Sequence, residues 1–210
     1  MSFLSIRTDR AFTLRIDLNR AQVKWSRQEL AGRALWGAVS PLFRFSPRLC
    51  WGWRRFLLRC FKARVGKHVH IDPSARIFIP WHLAIGDWSS IGFDAEIYNL
   101  GPLTIGQRVT ISQRSHLCGG THDYQDPSMP LVKSSIHVND DAWICADAFL
   151  CPGVTIGARS IVGARAVVTK DVESDTVVAG NPARVIKKVP RLDAGGPTVN
   201  AETESGYRGF

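Results

Sequence analysis

The chain has 210 residues, of which 45% are hydrophobic and 18 are glycine, a composition typical of a globular protein with many turns. It contains no uninterrupted apolar run of the roughly eighteen residues that a transmembrane helix needs, and its N-terminus lacks the pattern of a secretory signal. We therefore expect a cytoplasmic protein. The five cysteines include no Cys-x-x-Cys pair, which argues against a disulfide or zinc framework.

The net charge of +9 is concentrated near the N-terminus. Residues 1–64 hold fourteen of the 27 Lys and Arg residues but three of the 18 acidic residues, so the rest of the chain is slightly acidic. The same segment contains four of the seven tryptophans. We interpret residues 1–64 as a basic, aromatic-rich helical segment that precedes the main domain.

Two helices are predicted in this segment. The first covers residues 26–39, before Pro41 and Pro47 interrupt the chain. The second begins near residue 49, where apolar residues follow the i, i+4, i+7, i+8 spacing of an amphipathic helix. Its apolar stripe consists of Leu49, Trp53, Phe56, Leu57, Cys60 and Phe61, and its interleaved basic residues are Arg48, Arg54, Arg55, Arg59 and Lys62.

The second helix has two interpretations. It could cap the end of the following domain, whose strand edges would otherwise be unpaired. It could instead lie on an anionic membrane surface through residues 48–62, which would place the protein at the inner membrane surface. The two are compatible if the cap turns its basic face outward. We expect no nucleic-acid partner, because no nucleic-acid-binding motif accompanies the charge.

From residue 65 onward, an aliphatic residue recurs at every sixth position. Two of the intervals, which we call slips, are eight residues long, and one long gap interrupts the series. The series is Val65, Ile71, Ile77, Ile85, Ile91, Ile97, Ile105, Ile111, Leu117, Val138, Ile144, Leu150, Ile156, Val162 and Val168. A period of six fits neither an α-helix nor an alternating strand. It predicts an all-β solenoid, a parallel β-helix of hexapeptide repeats, over residues 65–189. The residue that follows is often small, so we expect Gly157 and Gly163 to need a small side chain or a positive φ.

The long gap, residues 118–135, predicts a loop ejected from one corner of the solenoid. His122 and Asp123 lie in this loop just after a Gly-Gly pair, and a histidine can exchange a proton near neutral pH. Asn99 lies at one of the slips, where it could bind a sugar hydroxyl or cap the turn, and the turn is favoured. Asn181-Pro182 predicts another turn, and residues 190–210 are predicted to be a disordered tail.

The chain resembles the hexapeptide-repeat acyltransferases of the left-handed β-helix class, and within them the colanic-acid-type polysaccharide O-acetyltransferases. The resemblance lies in WHLAIGDWSSIG, in IYNLGPLTIGQRVTISQRSHLCGGTHDYQDPSMPLV and in AWICADAFLCPGVTIGARSIVGARAVVTKDVESDTVVAGNPARVIKK. It implies a left-handed β-helix, a homotrimer, acetyl-CoA as co-substrate without a metal, and a saccharide acceptor in surface polysaccharide biosynthesis.

The resemblance also implies the roles of individual residues. His122 matches the catalytic general base, and the substrate-contacting positions are Asn99, Asp123 and Trp143. The positions that match coenzyme A contacts are Ala146, Ala164, Thr169, Lys170 and Arg184. Cys145 and Arg165 depart from the family pattern at the cofactor groove.

Three alternatives remain open. Cys118 could act as an acyl-accepting nucleophile. The chain could be a zinc-dependent hydratase like the γ-class carbonic anhydrases, with His82, His116 and His122 as ligands, although the spacing of six between the last two and the long loop argue against it. It could also be a solenoid scaffold without activity. The argument against a scaffold is the presence of His122, Asn99 and Lys170.

Overall fold

The structure is a computed structural model that describes residues 13–190. The predicted tail lies outside the described residues, apart from Pro190. Three helices come first: α1 (Ile16–Ala21), α2 (Arg27–Arg44) and α3 (Trp51–Cys60). Every strand lies after α3, so the prediction of an all-β solenoid with an N-terminal helical segment is confirmed.

The strands form about six coils. The first three coils contain β1 (Arg64–Val65), β2 (His70–Ile71) and β3 (Arg76–Ile77); β4 (Leu83–Ile85), β5 (Ser90–Ile91) and β6 (Glu96–Tyr98); and β7 (Leu103–Ile105), β8 (Thr110–Ile111) and β9 (His116–Cys118). A hairpin of β10 (Gly120–His122) and β11 (Leu131–Lys133) follows. The remaining coils contain β12 (Ile136–Val138), β13 (Trp143–Ile144) and β14 (Phe149–Leu150); β15 (Thr155–Ile156), β16 (Ile161–Val162) and β17 (Val167–Val168); and β18 (Thr176–Ala179), which pairs with β19 (Arg184–Lys188).

Equivalent strands of successive coils stack into three flat sheets. Sheet A has the strand order β1-β4-β7-β12-β15, sheet B has the order β2-β5-β8-β13-β16-β18-β19, and sheet C has the order β3-β6-β9-β14-β17. All coil-to-coil pairings are parallel, whereas β18–β19 and β10–β11 are antiparallel. The chain runs from A to B to C in every coil, so residues at one corner recur at the same corner of the next coil.

The core is the stack of hexad residues. All fifteen members of the aliphatic series are buried inside the solenoid. Small residues two positions earlier point inward as well, among them Ala95, Val109 and Ala148. Because burial of each large aliphatic side chain contributes about 1.5–3 kcal/mol, this continuous column is the main source of stability.

The glycine corners require small residues because the coils approach closely. A Cβ on Gly157 would lie 2.3 Å from the backbone nitrogen of Ser174, and one on Gly163 would lie 2.9 Å from Cβ of Ala179. Neither glycine has a positive φ. The left-handed positions lie two residues later, at Arg159 and Arg165. The predicted need for a small side chain is therefore confirmed, and the positive φ falls on a different residue.

The helix α2 begins with a capping box and continues past Pro41. The Ser26 hydroxyl accepts from the Glu29 backbone N–H, and the Glu29 carboxylate accepts from the Ser26 N–H, which lowers the pKa of Glu29. Pro41 cannot donate to the Gly37 carbonyl, but the Ser40 hydroxyl does so at 3.1 Å. The expected break at Pro41 is therefore wrong, and the helix ends at Arg44.

Side chains from the helices cap the exposed edge of the first coil. On β1, Arg59 donates to the Val65 carbonyl. On β2, Arg54 Nε donates to Ile71 O at 2.7 Å and Arg55 donates to Val69 O at 2.9 Å. On β3, the Trp36 indole donates to Ile77 O at 2.8 Å. These carbonyls have no earlier coil to pair with, so the helical segment completes their hydrogen bonding.

Arg54 is the most buried member of this cap. Its side chain is fully buried, and burial lowers the pKa of its guanidinium. Besides Ile71 O, it donates to the Ser46 hydroxyl and to the carbonyls of Pro47 and Arg48. Arg54 is therefore not available to a membrane, and Arg55 and Arg59 donate to carbonyls of the first coil. The capping interpretation describes these three arginines.

The substitution Arg54→Gln should destabilise the protein. It leaves the Ile71, Pro47 and Arg48 carbonyls without their buried donor, which should lower the free energy of unfolding by about 2–4 kcal/mol. Denaturant unfolding followed by circular dichroism measures this. The matched control is Arg44→Gln, an exposed arginine of α2, which should be nearly neutral. Equal stability of the two variants would contradict the capping role of Arg54.

Candidate active site

All insertions into the solenoid occur at one corner, between sheets C and A. The first slip forms a short 3₁₀ helix (Pro80–His82), the second forms the turn at residues 99–102, and the third is the β10–β11 hairpin. Because the corner recurs in each coil, the three insertions lie next to one another along the solenoid. The base of the His122 hairpin packs on the second insertion, which in turn contacts the first.

Asn99 joins two of these insertions. Its side chain is fully buried, with Oδ1 accepting from Ile79 N at 3.0 Å and Nδ2 donating to Ile79 O at 2.6 Å. Both ends of the amide are thus used within the chain. The structure gives Asn99 the turn role and presents none of its side chain to an acceptor, so its expected sugar contact is not supported by this geometry.

The Gly-Gly pair lets the hairpin approach the turn beneath it. A Cβ on Gly120 would lie 2.6 Å from Cδ1 of Leu100, and the Gly119 backbone N–H donates to Tyr98 O at 2.7 Å. The glycines thus allow close contact with the protein itself. The predicted loop is partly ordered as two antiparallel strands, in which His122 pairs with Leu131.

The hairpin orients the imidazole of His122. Its Nδ1 lies 2.7 Å from the backbone oxygen of Met129. A carbonyl oxygen is only an acceptor, so Nδ1 must carry the proton, and the neutral ring has its free electron pair on Nε2. The side chain is exposed, as are Thr121, Asp123 and Tyr124. This orientation leaves Nε2 as the nitrogen that could act as a general base.

Two neighbours of His122 have partners of their own. The Asp123 carboxylate accepts from the Gln125 N–H at 2.9 Å, which orders the turn. The Cys118 thiol donates to Gly120 O at 3.2 Å and is half-buried on the outer face of sheet C. Although its carboxylate accepts the hydrogen bond from Gln125, the Asp123 side chain remains exposed to solvent beside His122.

The positions expected to contact coenzyme A lie on both flanks of sheet C. Ala146 and Ala164 occupy the same corner, between sheets B and C, in consecutive coils. Thr169 and Lys170 follow β17 on the other flank, and Arg184 begins β19. Ala164, Thr169, Lys170 and Arg184 are exposed. This surface offers small side chains with two cations, which suits a flexible chain that carries phosphates.

The two positions that depart from the family pattern are explained locally. Cys145 is buried at its corner, and burial raises the pKa of its thiol to about 11. It therefore acts as a small apolar residue. The Arg165 side chain extends into solvent and lies 3.7 Å from the Asp147 carboxylate, which also pairs with Arg114.

Trp143 and His122 lie on different sides of one chain. Trp143 is exposed on sheet B, where its indole donates to the Ser112 hydroxyl at 2.9 Å. The His122 hairpin projects from the corner between sheets C and A, opposite sheet B. One chain does not bring the two together, so a common site would need a second copy.

The three histidines considered for zinc do not converge. His82 contacts the Asn99 carbonyl, His116 lies on sheet C with Nδ1 3.9 Å from Glu96, and His122 lies in the hairpin. Burial lowers the pKa of His116. Within residues 13–190, no three or more His, Cys, Asp and Glu side chains form a group that could hold a metal ion.

Sequence reasoning missed a cluster that joins α2 to the hairpin. Lys133 of β11 lies over the Trp25 ring at 3.6 Å, and the Arg33 guanidinium lies over the same ring at 4.1 Å. Lys133 also donates to Lys24 O and lies 3.8 Å from the Glu29 carboxylate. The only signal in the sequence was the tryptophan-rich composition of the segment.

Comparisons with known proteins agree with this architecture. The family described as bacterial transferase hexapeptide (six repeats) matches residues 135–170. The Escherichia coli K12 protein named as a colanic acid biosynthesis acetyltransferase, WcaF, is 43% identical over 155 residues, which is 73% of this chain and 85% of that protein. The galactoside O-acetyltransferase of the same strain is 29% identical over 67% of this chain and 70% of its own length.

A solved structure shares the fold. The hexapeptide-repeat acetyltransferase of Vibrio cholerae, crystallised with acetyl coenzyme A, superposes with a TM-score of 0.72 at 29% identity, covering 79% of this chain and 91% of that chain. The repeats, the corner hairpin and the identity to WcaF over most of the chain together show that this protein belongs to the hexapeptide-repeat acetyltransferases.

Proposed function

We propose that the protein moves an acetyl group from acetyl-CoA to a hydroxyl of a sugar, with His122 as the general base. The observation that carries this is the hydrogen bond between His122 Nδ1 and Met129 O, which leaves Nε2 free to take a proton at an exposed surface. The Vibrio cholerae relative was solved with acetyl coenzyme A, which supports the choice of donor.

The reaction needs few groups. As the sugar hydroxyl attacks the thioester carbonyl carbon, its proton moves to His122 Nε2, and a backbone N–H near the hairpin stabilises the oxyanion. The C–S bond then breaks, and the proton on His122 passes to the departing thiolate. The products are the acetyl ester and free coenzyme A. Holding both substrates in one cleft supplies much of the remaining rate enhancement.

The acceptor that fits best is a saccharide of a surface polysaccharide. Support comes from the names of the relatives: WcaF is named for colanic acid biosynthesis, and the other Escherichia coli relative is named as a galactoside O-acetyltransferase. Asp123 beside His122 could accept a hydrogen bond from a second sugar hydroxyl.

The change His122→Asn should abolish most of the activity. Without a general base, acetyl transfer should fall by at least about 10²-fold, while the fold is kept because the side chain is exposed. Thiol release from acetyl-CoA in the presence of the acceptor measures turnover. The control is His68→Asn, an exposed histidine of the first coil, which should turn over normally. Near-normal turnover of His122→Asn would show that another group is the base.

We also propose that the working form is a homotrimer in which the site lies between chains. In one chain His122 is open to solvent, and Trp143 is on another face of the solenoid. A second copy could cover the hairpin and exclude water from the thioester.

Sedimentation equilibrium tests the assembly. The expected mass is three times the chain mass of 23.3 kDa across the concentrations at which the enzyme is assayed. Because the site would be shared, specific activity should fall on dilution together with the trimer. A monomer that keeps full specific activity would contradict the shared site.

A third proposal concerns the outer apolar patch, which consists of Leu42, Phe45, Leu49, Trp53 and Phe56. All five are exposed, with Phe45 at 88% and Leu49 at 77% of their full accessibility. The exposed side chains of Arg44 and Arg48 lie in the same part of the chain. Within residues 13–190, every helix is too short or too polar to span a bilayer. An apolar surface beside exposed cations suits peripheral contact with an anionic membrane, where a lipid-linked acceptor would be found.

Vesicle sedimentation tests this contact. The protein should bind vesicles that contain phosphatidylglycerol at low ionic strength and release them as salt rises. The pair Phe45→Ser/Leu49→Ser should weaken binding and leave acetyl transfer to a soluble acceptor intact. The control pair is Val185→Ser/Ile186→Ser, two exposed apolar residues of β19 at the far end of the solenoid. Binding that is absent at all salt concentrations, or that both pairs reduce equally, would remove the membrane proposal.

A further inference from the structure

The segment before α2 lies against the tip of the hairpin that carries His122. The Arg15 backbone N–H donates to Pro127 O at 2.7 Å. The Gln22 amide donates to the Ser128 hydroxyl at 3.4 Å. Residues more than one hundred positions apart are thus joined beside the candidate base, although the segment carries no repeat and no recognised motif.

Asn19 makes the most specific of these contacts. It is a buried residue of α1, and its Nδ2 donates both to Ser128 O at 2.9 Å and to Met129 O. Its Oδ1 accepts from the Lys24 ammonium group. Because carbonyls only accept and an ammonium group only donates, these contacts assign Nδ2 and Oδ1 of the amide without ambiguity.

Met129 O is the same oxygen that accepts from His122 Nδ1. A carbonyl oxygen has two electron pairs, so it can accept from Asn19 and His122 together. The Asn19 amide, the Met129 carbonyl and the His122 imidazole therefore form one short chain of contacts that runs from α1 to the candidate base.

The hairpin tip needs this support. Met129 adopts a φ of +45°, a left-handed conformation that a side chain other than glycine rarely takes. Such a conformation is strained and persists only when the surroundings hold it. Within the turn, Met129 N donates to Asp126 O and Ser128 N donates to the Asp126 carboxylate. Asn19 Nδ2 donates to the carbonyls of Ser128 and Met129 in this turn. The Met129 carbonyl is the one that accepts from His122.

We propose that Asn19 is a positioning residue for His122: by holding the Met129 carbonyl, it keeps the imidazole in the Nδ1–H tautomer with Nε2 free. This inference rests on the proposed function, in which His122 is the base. Asn19 touches neither the imidazole nor, in this arrangement, the reacting atoms. Its effect is to keep the base ready before the substrates bind.

The sharpest variant is Asn19→Asp. It keeps the size of the side chain and the contact with Lys24, but it replaces the donor with an oxygen that faces two carbonyl oxygens. The turn should shift, and kcat should fall by about 10-fold or more while KM for acetyl-CoA changes little. Asn19→Ala removes the donor without adding a charge and should show a smaller loss of the same kind. Gln22→Ala is the matched control, since Gln22 touches the same turn through Ser128 and makes no bond to Met129.

Nitrogen-15 NMR of labelled histidine supplies a readout that packing alone would not move. In the wild-type protein, neutral His122 should be protonated on Nδ1. In both Asn19 variants the Nε2–H tautomer should become populated, and in Gln22→Ala the spectrum should be that of the wild type. Circular dichroism and thermal unfolding establish that each variant is folded. If Asn19→Asp does not fold, Asn19→Ala carries the same test.

Two results would overturn the inference. The first is a wild-type spectrum in which His122 is protonated on Nε2. The second is a folded Asn19 variant that keeps both the Nδ1–H tautomer and the wild-type kcat. Failure of the proposed function would look different: His122→Asn would retain turnover, while the NMR spectra would still report whether Asn19 orients the ring.

Discussion

The structure depends on how the first coil of the solenoid is finished. The strand carbonyls of every later coil accept from N–H groups of the coil before it. The N–H groups of β1, β2 and β3 donate to the second coil, but no coil precedes these strands to donate to their carbonyls. Arg54, Arg59 and Trp36 supply donors to the open carbonyls of these strands, and α3 covers the end of the aliphatic column. A parallel solenoid without such a cap would present an edge on which other chains could pair. The basic character of the segment is therefore partly a requirement of the fold.

The same N-terminal segment reaches the candidate site. Its helices cap the first coil, its Trp25 lies between Arg33 and Lys133 of the hairpin stem, and its α1 holds the hairpin tip. The cap and the clamp on the hairpin thus belong to one stretch of chain. Loss of the cap would be expected to disturb the hairpin too, even though the two lie at different levels of the solenoid.

The regular part of the fold was readable from the sequence because a period of six has few structural solutions. Each hexad residue had to point inward, and each does. The location of His122 in an insertion was also predictable, since its loop is the one long interruption of the repeat within residues 65–168. The corner positions were predicted less well: Gly157 needed space because of Ser174 N, whereas the left-handed backbone fell on Arg159. A repeat pattern gives the spacing of corners without their dihedral angles.

Contacts between distant segments were not readable. Arg54 looked like one of several surface arginines, because only the folded chain shows that α3 turns it toward Ile71 O. From the sequence, Asn99 could either bind a ligand or cap the turn. In the fold, two insertions stack, and both ends of the Asn99 amide bond to the backbone of Ile79. Asn19 had no pattern around it at all. In each case the side chain bonds to backbone groups of another segment, and a backbone group leaves no mark in the sequence.

We propose that acetyl transfer takes place at His122, at a site completed by a second copy of the chain. A crystal structure with bound acetyl-CoA would test it most directly, by the distance from His122 Nε2 to the thioester. We predict that the thioester carbonyl carbon lies beside His122, with room for one hydroxyl oxygen within about 3 Å of Nε2, and that Lys170 and Arg184 of the neighbouring chain lie along the same coenzyme. An acetyl group bound away from the hairpin, or held by one chain alone, would contradict the account.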